Sequence, residues 1–107
     1  MSKRPHHTKK DTNQLPIVRR LRDLGLLAIE VADLPGSDDP AIGHPLDLFV
    51  CGLHIRRDRF EWLQVEIKQP GGQLDAKERA YFDYWPEIPR LKAVCVQDIL
   101  RWYGRCE

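Results

Sequence analysis

The sequence predicts a single small α/β domain, a mixed β-sheet with helices packed on it. Three observations carry that prediction. The chain has 107 residues, 42% of them apolar, which suits one modest core and is short for two domains. Between Phe60 and Lys68, Leu63, Val65 and Ile67 alternate with Trp62, Gln64, Glu66 and Lys68, the two-residue period of a strand. Helical and extended segments then follow in the order αβββαβα. Three strands in a meander, followed by a helical crossover to a fourth, make a mixed sheet.

The first helix is expected from about Asn13 to Leu24. Thr12 or Asn13 can cap it, Pro16 is tolerated within the first turn, and Gly25 stops it. Ile17, Leu21 and Leu24 share one face, while Arg19, Arg20 and Arg22 point mostly elsewhere. The run from Leu26 to Ala32 reads as a strand, and Leu34 to Gly43, rich in Pro, Gly, Ser and Asp, as a loop. A second strand is expected from about Leu46 to Cys51, and a hairpin connection from Gly52 to Asp58. The third strand spans Phe60 to Lys68 and ends at the Pro70-Gly71-Gly72 turn. Asp75 caps a helix that runs to about Trp85 and stops at Pro86. Leu91 to Val96 supplies a fourth strand and Asp98 to Tyr103 a short last helix.

Residues 1–10 are expected to form a disordered basic tail, polar and broken by Pro5, with 11–107 as the domain. His6 and His7 fall in that tail, where a metal site is the weaker reading. The net charge is only +1, so distribution says more than balance. Lys3, Arg4, Lys9 and Lys10, then Arg19, Arg20 and Arg22, then Arg56, Arg57 and Arg59 form three basic groups. They read either as solvated faces or as phosphate contacts.

Cys51, Cys95 and Cys106 are an odd set without metal-like spacing. Cys51 and Cys95 sit in apolar runs and are expected to be buried thiols. No signal-like or membrane-spanning segment is present in the sequence, and a soluble, cytoplasmic protein is expected. Neither a C-x-x-C pair, a phosphate-cradling glycine loop nor a nucleophile elbow occurs.

Glu66 and Lys68 lie two apart on one strand, so they share a face with Cβ atoms roughly 6.5–7 Å apart. Asp47 stands early on the preceding antiparallel strand and is expected beside Glu66 or Lys68. Two carboxylates are hard ligands for Mg²⁺ or Mn²⁺. A metal held there polarises a phosphoryl oxygen and acidifies a bound water, and a nearby ammonium orients that water or stabilises developing charge. The competing reading is cross-strand ion pairs of a few tenths of a kcal/mol. Burial favours the first, because both acids stand among apolar strand residues where ionised groups are rare without a partner or metal. In the following helix, Leu74, Tyr81, Phe82 and Trp85 define an inner stripe. Glu78 falls at the same spacing, either reaching the site or lying at the stripe's solvent edge.

With these residues the chain resembles the PD-(D/E)xK nuclease superfamily, specifically small phage and prophage proteins related to VRR-NUC and Holliday-junction-resolvase-like domains. The resemblance covers about Asp11 to Val96. It begins with Asp11-Thr12-Asn13-Gln14 opening a helix that ends at Leu24-Gly25. It continues through Gly43-His44-Pro45-Leu46-Asp47-Leu48-Phe49-Val50, then Val65-Glu66-Ile67-Lys68, then Gly72-Gln73-Leu74-Asp75 with Glu78, Phe82 and Trp85. Two departures stand out: Leu46 occupies the position of the usual proline, and Asp75 that of the usual threonine.

The resemblance implies a restriction-endonuclease-like αβββαβ core. Asp47, Glu66 and the Ile67 carbonyl would be metal ligands, Lys68 the catalytic lysine and Glu78 a further site residue. Asn13 or Gln14 would occupy the position where relatives place a polar residue facing the site, although capping explains Asn13 equally. Glu30, Asp33, Asp38 and Asp39 are candidate extra ligands or, more simply, solvated loop acids.

The implied activity is a Mg²⁺- or Mn²⁺-dependent endonuclease acting on DNA, with branched or structured DNA in phage replication or recombination as the expected substrate class, within the host cytoplasm. Lys9, Lys10, Arg19, Arg20, Asn13 and Gln14 are the expected nucleic-acid contacts, reading backbone and shape rather than bases. A homodimer would place two sites on two strands. The alternative is a catalytically silent nuclease-like module that binds nucleic acid or a protein.

Overall fold

A computed structural model of the chain describes residues 13–33, 46–84 and 86–105. Helix α1 spans Gln14–Asp23 and ends in a fully formed Schellman turn: Leu26 N–H donates to the Leu21 carbonyl and Gly25 N–H to that of Arg22, both at 3.0 Å. Gly25 takes φ +86° there, a left-handed conformation that glycine adopts without steric cost. Asn13 stands at the expected cap, yet its side chain makes no capping bond. It is used elsewhere, as described below.

Strand β1 (Leu27–Glu30) is shorter than the apolar run suggested. Val31 still donates to the Asp47 carbonyl at 3.0 Å, but the chain then coils into a 3₁₀ turn at Val31–Asp33. Strand β2 runs Leu48–His54 and β3 Arg59–Ile67. The hairpin therefore reaches three residues beyond the expected end at Cys51 and leaves a four-residue turn at 55–58. Helix α2 (Ala76–Tyr84) follows, then β4 (Arg90–Ala93) and α3 (Val96–Trp102). The last helix starts earlier than expected because Asp98 reaches back from its first turn: Oδ2 accepts from Val94 N–H at 2.8 Å and Cys95 N–H at 3.4 Å.

The result is an α+β fold with a four-stranded mixed sheet in the order β1-β2-β3-β4. The first two pairings are antiparallel and β3–β4 is parallel, as a helical crossover requires. Register fixes the two faces. Leu48 opposes Val65 and Val50 opposes Leu63, and together with Ala28, Ile67 and Ala93 they turn toward α1 and α3. Ile17, Val18 and Leu21 of the first helix, with Ile99, Leu100 and Tyr103 beside the last, complete this core.

The second face is covered unevenly. The crossover through α2 and residues 86–89 shields it at the far end of β3, where Gln64 is fully buried and donates to the Ile88 carbonyl at 3.0 Å. At the hairpin end Leu27, Phe60 and Trp62 remain exposed, and Phe49, Cys51 and Leu53 are half-buried. Cys51 and Cys95 are thus free, half-buried thiols rather than core residues; the alternation of β2 places Cys51 on this outer face.

Lys9, Lys10 and the rest of the basic tail, the motif residues Gly43, His44 and Pro45, Asp38 and Asp39, and Trp85 lie outside the described residues, as do the side chains of Tyr81 and Phe82. Among the described residues no helix is long and apolar enough to cross a membrane.

Candidate functional site

The end of the β2–β3 hairpin where β3 leaves the sheet gathers the ionisable residues. Asp47 immediately precedes β2. Its Oδ2 accepts a hydrogen bond from the Ile67 N–H at 2.8 Å, so its carboxylate lies against the peptide that joins Glu66 to Ile67. Lys68 follows at the strand's exit, its Nζ 3.7 Å from Glu66 Oε2 and 2.9 Å from Glu78 Oε2. The register that pairs Leu48 with Val65 brings Asp47 opposite Glu66. The sequence expectation for these three positions matches the geometry.

Glu78 resolves in favour of the inward reading. It is 4% exposed and sits in the first turn of α2, where it forms a reciprocal pair with Asp75. Asp75 N–H donates to Glu78 Oε1 at 2.9 Å, and Glu78 N–H donates to Asp75 Oδ1 at 2.8 Å. This is a capping box whose acid uses its second oxygen to hold Lys68.

Electrostatically the cluster carries more acid than base. Burial raises the Glu66 carboxyl first of all; its hydrogen bond to Glu78 and the charges of Asp47 and Glu78 add to this, and Lys68 only partly opposes them. Glu66 is pushed up to about 10, so it holds its proton at neutral pH. Burial works in the same direction on Glu78, but hydrogen bonds from Glu66, the Asp75 N–H and Lys68 outweigh it and keep Glu78 below the usual carboxylate range. One proton is therefore shared unequally, with Glu66 as donor and Glu78 as acceptor. Glu66 Oε1 is buried without a hydrogen-bond partner among the described residues.

Asn13 turns toward the strand that carries the site instead of capping its helix, and Gln14 is buried away from any surface. Asn13 Nδ2 donates to the Lys68 carbonyl at 3.3 Å and to the Val94 carbonyl at 2.7 Å, while Oδ1 accepts from Gln69 at 3.1 Å. Its amide ties the exits of β3 and β4 to the start of α1, fixing the backbone that carries Lys68. Gln14 is 2% exposed and donates to Glu30 Oε1 at 3.2 Å, which leaves it no surface to offer a nucleic acid. Glu30 is correspondingly a buried strand-end acid rather than a solvated loop residue; Asp33 is exposed. Arg19 and Arg20 are exposed on α1, about 9–10 Å of helix rise beyond Asn13.

Sequence reasoning missed Lys92, which stands across from Glu66 in the β3–β4 register and donates to the Gly72 carbonyl at 2.8 Å. Its signal was a parallel pairing, which only the register supplies. Among the described residues no group of three or more His, Cys, Asp or Glu is arranged to hold a metal ion. No family model matches the chain, and no curated protein or solved structure matches it.

Proposed function

We propose that the chain is a divalent-metal-dependent endonuclease acting on DNA, with a restriction-endonuclease-like αβββαβ core and branched or structured DNA as its substrate class. The observation that carries this reading is the seat of Asp47 on the Glu66-Ile67-Lys68 strand end. It supports a site in which two carboxylates and a lysine converge at one sheet terminus.

The donor set fits a cation. Glu66 and Glu78 flank one ammonium and Asp47 lies beside Glu66, so neutralising the three acids takes a proton on Glu66 or a positive ion besides Lys68. Glu66 Oε1 is a buried oxygen without a hydrogen bond among the described residues. Asp47, Glu66 and the Ile67 carbonyl would hold Mg²⁺ or Mn²⁺, which keeps several waters when bound by few carboxylates. The metal's contribution when bound is Lewis acidity toward a phosphoryl oxygen and a more acidic water. The chain's own residues supply position and charge. Lys68, about one-fifth exposed, presents its ammonium to the attacking water or to the charge that grows on phosphorus. Glu78 and the Asn13 bridge fix where that ammonium stands. Arg19 and Arg20, with Lys9 and Lys10, would neutralise neighbouring phosphates. In this reading the protein works in the cytoplasm, of the host if phage-encoded.

A second reading is favoured by the closed character of the cluster. Lys68 is already paired with Glu78, Glu66 is protonated, and a preformed metal group is missing among the described residues. Such a chain would be a silent nuclease-like module binding nucleic acid or a protein.

One experiment separates the two. Single-stranded, duplex, flap and four-way-junction DNA, with RNA beside them, are incubated with Mg²⁺, Mn²⁺ or EDTA and with wild type, Lys68→Ala and Glu66→Gln. The expected result is cutting that needs metal and falls at least a hundredfold in both variants. Folded wild type that binds Mn²⁺ weakly or not at all, and cuts no substrate, would move the conclusion to the silent module.

A further inference from the structure

Lys92 stands beside the candidate site with no role in the chemistry proposed for it. The parallel register sets it opposite Glu66, so both side chains leave the same face of the sheet from strands about 4.8 Å apart. Asp47 lies opposite Glu66 on the other flank, one residue before the Leu48–Val65 pair. Asp47, Glu66 and Lys92 therefore form one row across the end of the sheet, two acids followed by a cation.

The three cations that β4 and the exit of β3 carry are spent differently. Lys68 is held by Glu78 at 2.9 Å and Arg90 by Asp83 at 2.6 Å. Lys92 is exposed and meets no carboxylate among the described residues; its ammonium donates to the Gly72 carbonyl at 2.8 Å. That acceptor is neutral, and an ammonium has three donors. A full charge and two donors remain for an anion.

The support under that ammonium is rigid. Gly72 N–H donates to the Gln69 carbonyl at 2.8 Å, and Gly71 takes φ +81° after Pro70, which makes residues 69–72 a type II turn. The turn also packs on its neighbour: a Cβ at Gly72 would stand 3.0 Å from the Gln69 carbonyl oxygen and 3.1 Å from Lys68 Cβ. One short turn thus lies against the stem of Lys68 and carries the carbonyl that holds Lys92. A long flexible side chain is placed before any ligand arrives, which lowers the entropy cost of binding.

We propose that Lys92 is a phosphate-binding residue, which takes the phosphate next along the strand from the one at Asp47 and Glu66. It would direct a nucleic-acid strand along the row, across the end of the sheet. Its two remaining donors match the two unesterified oxygens of a phosphodiester, and lysine binds phosphate as a point charge. The choice of phosphate as the anion rests on the nuclease reading.

The test is binding, so it does not require cutting. The full chain is titrated into fluorescently labelled single-stranded and duplex DNA, in Ca²⁺ and in EDTA, from about 50 to about 200 mM salt. Lys92→Gln removes the charge and keeps an N–H for the Gly72 carbonyl, while Lys92→Arg keeps the charge. Gly72→Ala disturbs the turn and leaves every charge in place. Circular dichroism confirms that each variant is folded.

Lys92→Gln is expected to weaken binding on the order of fivefold. It should lower the slope of log affinity against log salt by about 0.9 on duplex and about 0.7 on single strands, the loss of one phosphate contact. Lys92→Arg should keep the wild-type slope, and Gly72→Ala should change affinity without changing the slope. Lys92→Gln that binds like wild type would overturn the proposal and leave the nuclease reading standing. So would weaker binding at an unchanged slope, which would make Lys92 a clamp on the turn alone. Wild type that binds neither DNA would overturn both. The expected slopes in a chain that cuts nothing would uphold Lys92 and move the function to the silent module.

Discussion

Glu66 concentrates the tension in the candidate site, and its ionisation couples that site to stability. Its carboxyl moves from an ordinary 4.5 to about 10 on folding. Between those values the folded chain holds one more proton than the unfolded chain. The stability tied to that proton is complete below about pH 4.5 and declines as pH rises toward 10. Glu66→Gln keeps the shape and the neutral charge without the titration. Its melting temperature is therefore expected to exceed that of wild type, by a margin that widens from pH 5 to pH 9, each kcal/mol being worth about 4–8 °C in a domain of this size. Thermal melts in EDTA across that range measure it, and a margin independent of pH would show that Glu66 is ionised in the native state. The same substitution removes a proposed metal ligand, so the most stable variant is expected to be among the least active.

At the scale of elements, local sequence signals named the right kinds of structure and placed their ends less well. Alternation in β3 and the glycine after α1 were legible because each is written within a few adjacent residues. The early start of α3 was not, since it depends on Asp98 folding back onto the N–H groups of Val94 and Cys95. Burial works against ionised Asp98, yet those hydrogen bonds and Arg101 outweigh it and hold its carboxyl below the usual range. Its stabilisation is present above the unfolded carboxylate value and is lost as pH falls through the folded one. Asp98→Asn is expected to cost about 1 kcal/mol at pH 7 and almost nothing near pH 2, measured by urea unfolding at both. The candidate site followed the same rule. Asp47, Glu66 and Lys68 were readable from strand period and hairpin direction, whereas the inward turn of Glu78 and the Asn13 bridge needed tertiary packing. Gln14 was misread as accessible because a polar residue in a first helical turn ordinarily faces water.

Across the whole molecule, one side chain ties distant parts together. The Tyr103 hydroxyl, fully buried, lies 3.1 Å from the Val50 carbonyl and 2.9 Å from the Glu61 carbonyl, so it joins the end of α3 to both strands of the hairpin. Burial raises its ionisation well above the ordinary phenol range, and it serves as a neutral donor. Tyr103→Phe leaves the ring in place and removes this tie, while the Val50 and Glu61 carbonyls keep their places in the β2–β3 ladder. A loss of about 0.5–1.5 kcal/mol is expected in urea unfolding, with the slope of the transition unchanged. A change in slope would instead point to a loosened native state.

The double duty of Glu78 reaches beyond energetics, into how freely this sequence can drift. One carboxyl oxygen closes the helix cap and the other grips Lys68. Glutamine satisfies the first task, because a capping box accepts either residue, but it cannot supply the charge. Exchange of Glu for Gln here keeps the cap but withdraws the charge that faces Lys68, so a change that leaves the helix start intact still reaches the end of β3. Position 78 is thus a point at which the fold and the seat of Lys68 vary separately, although one side chain serves both.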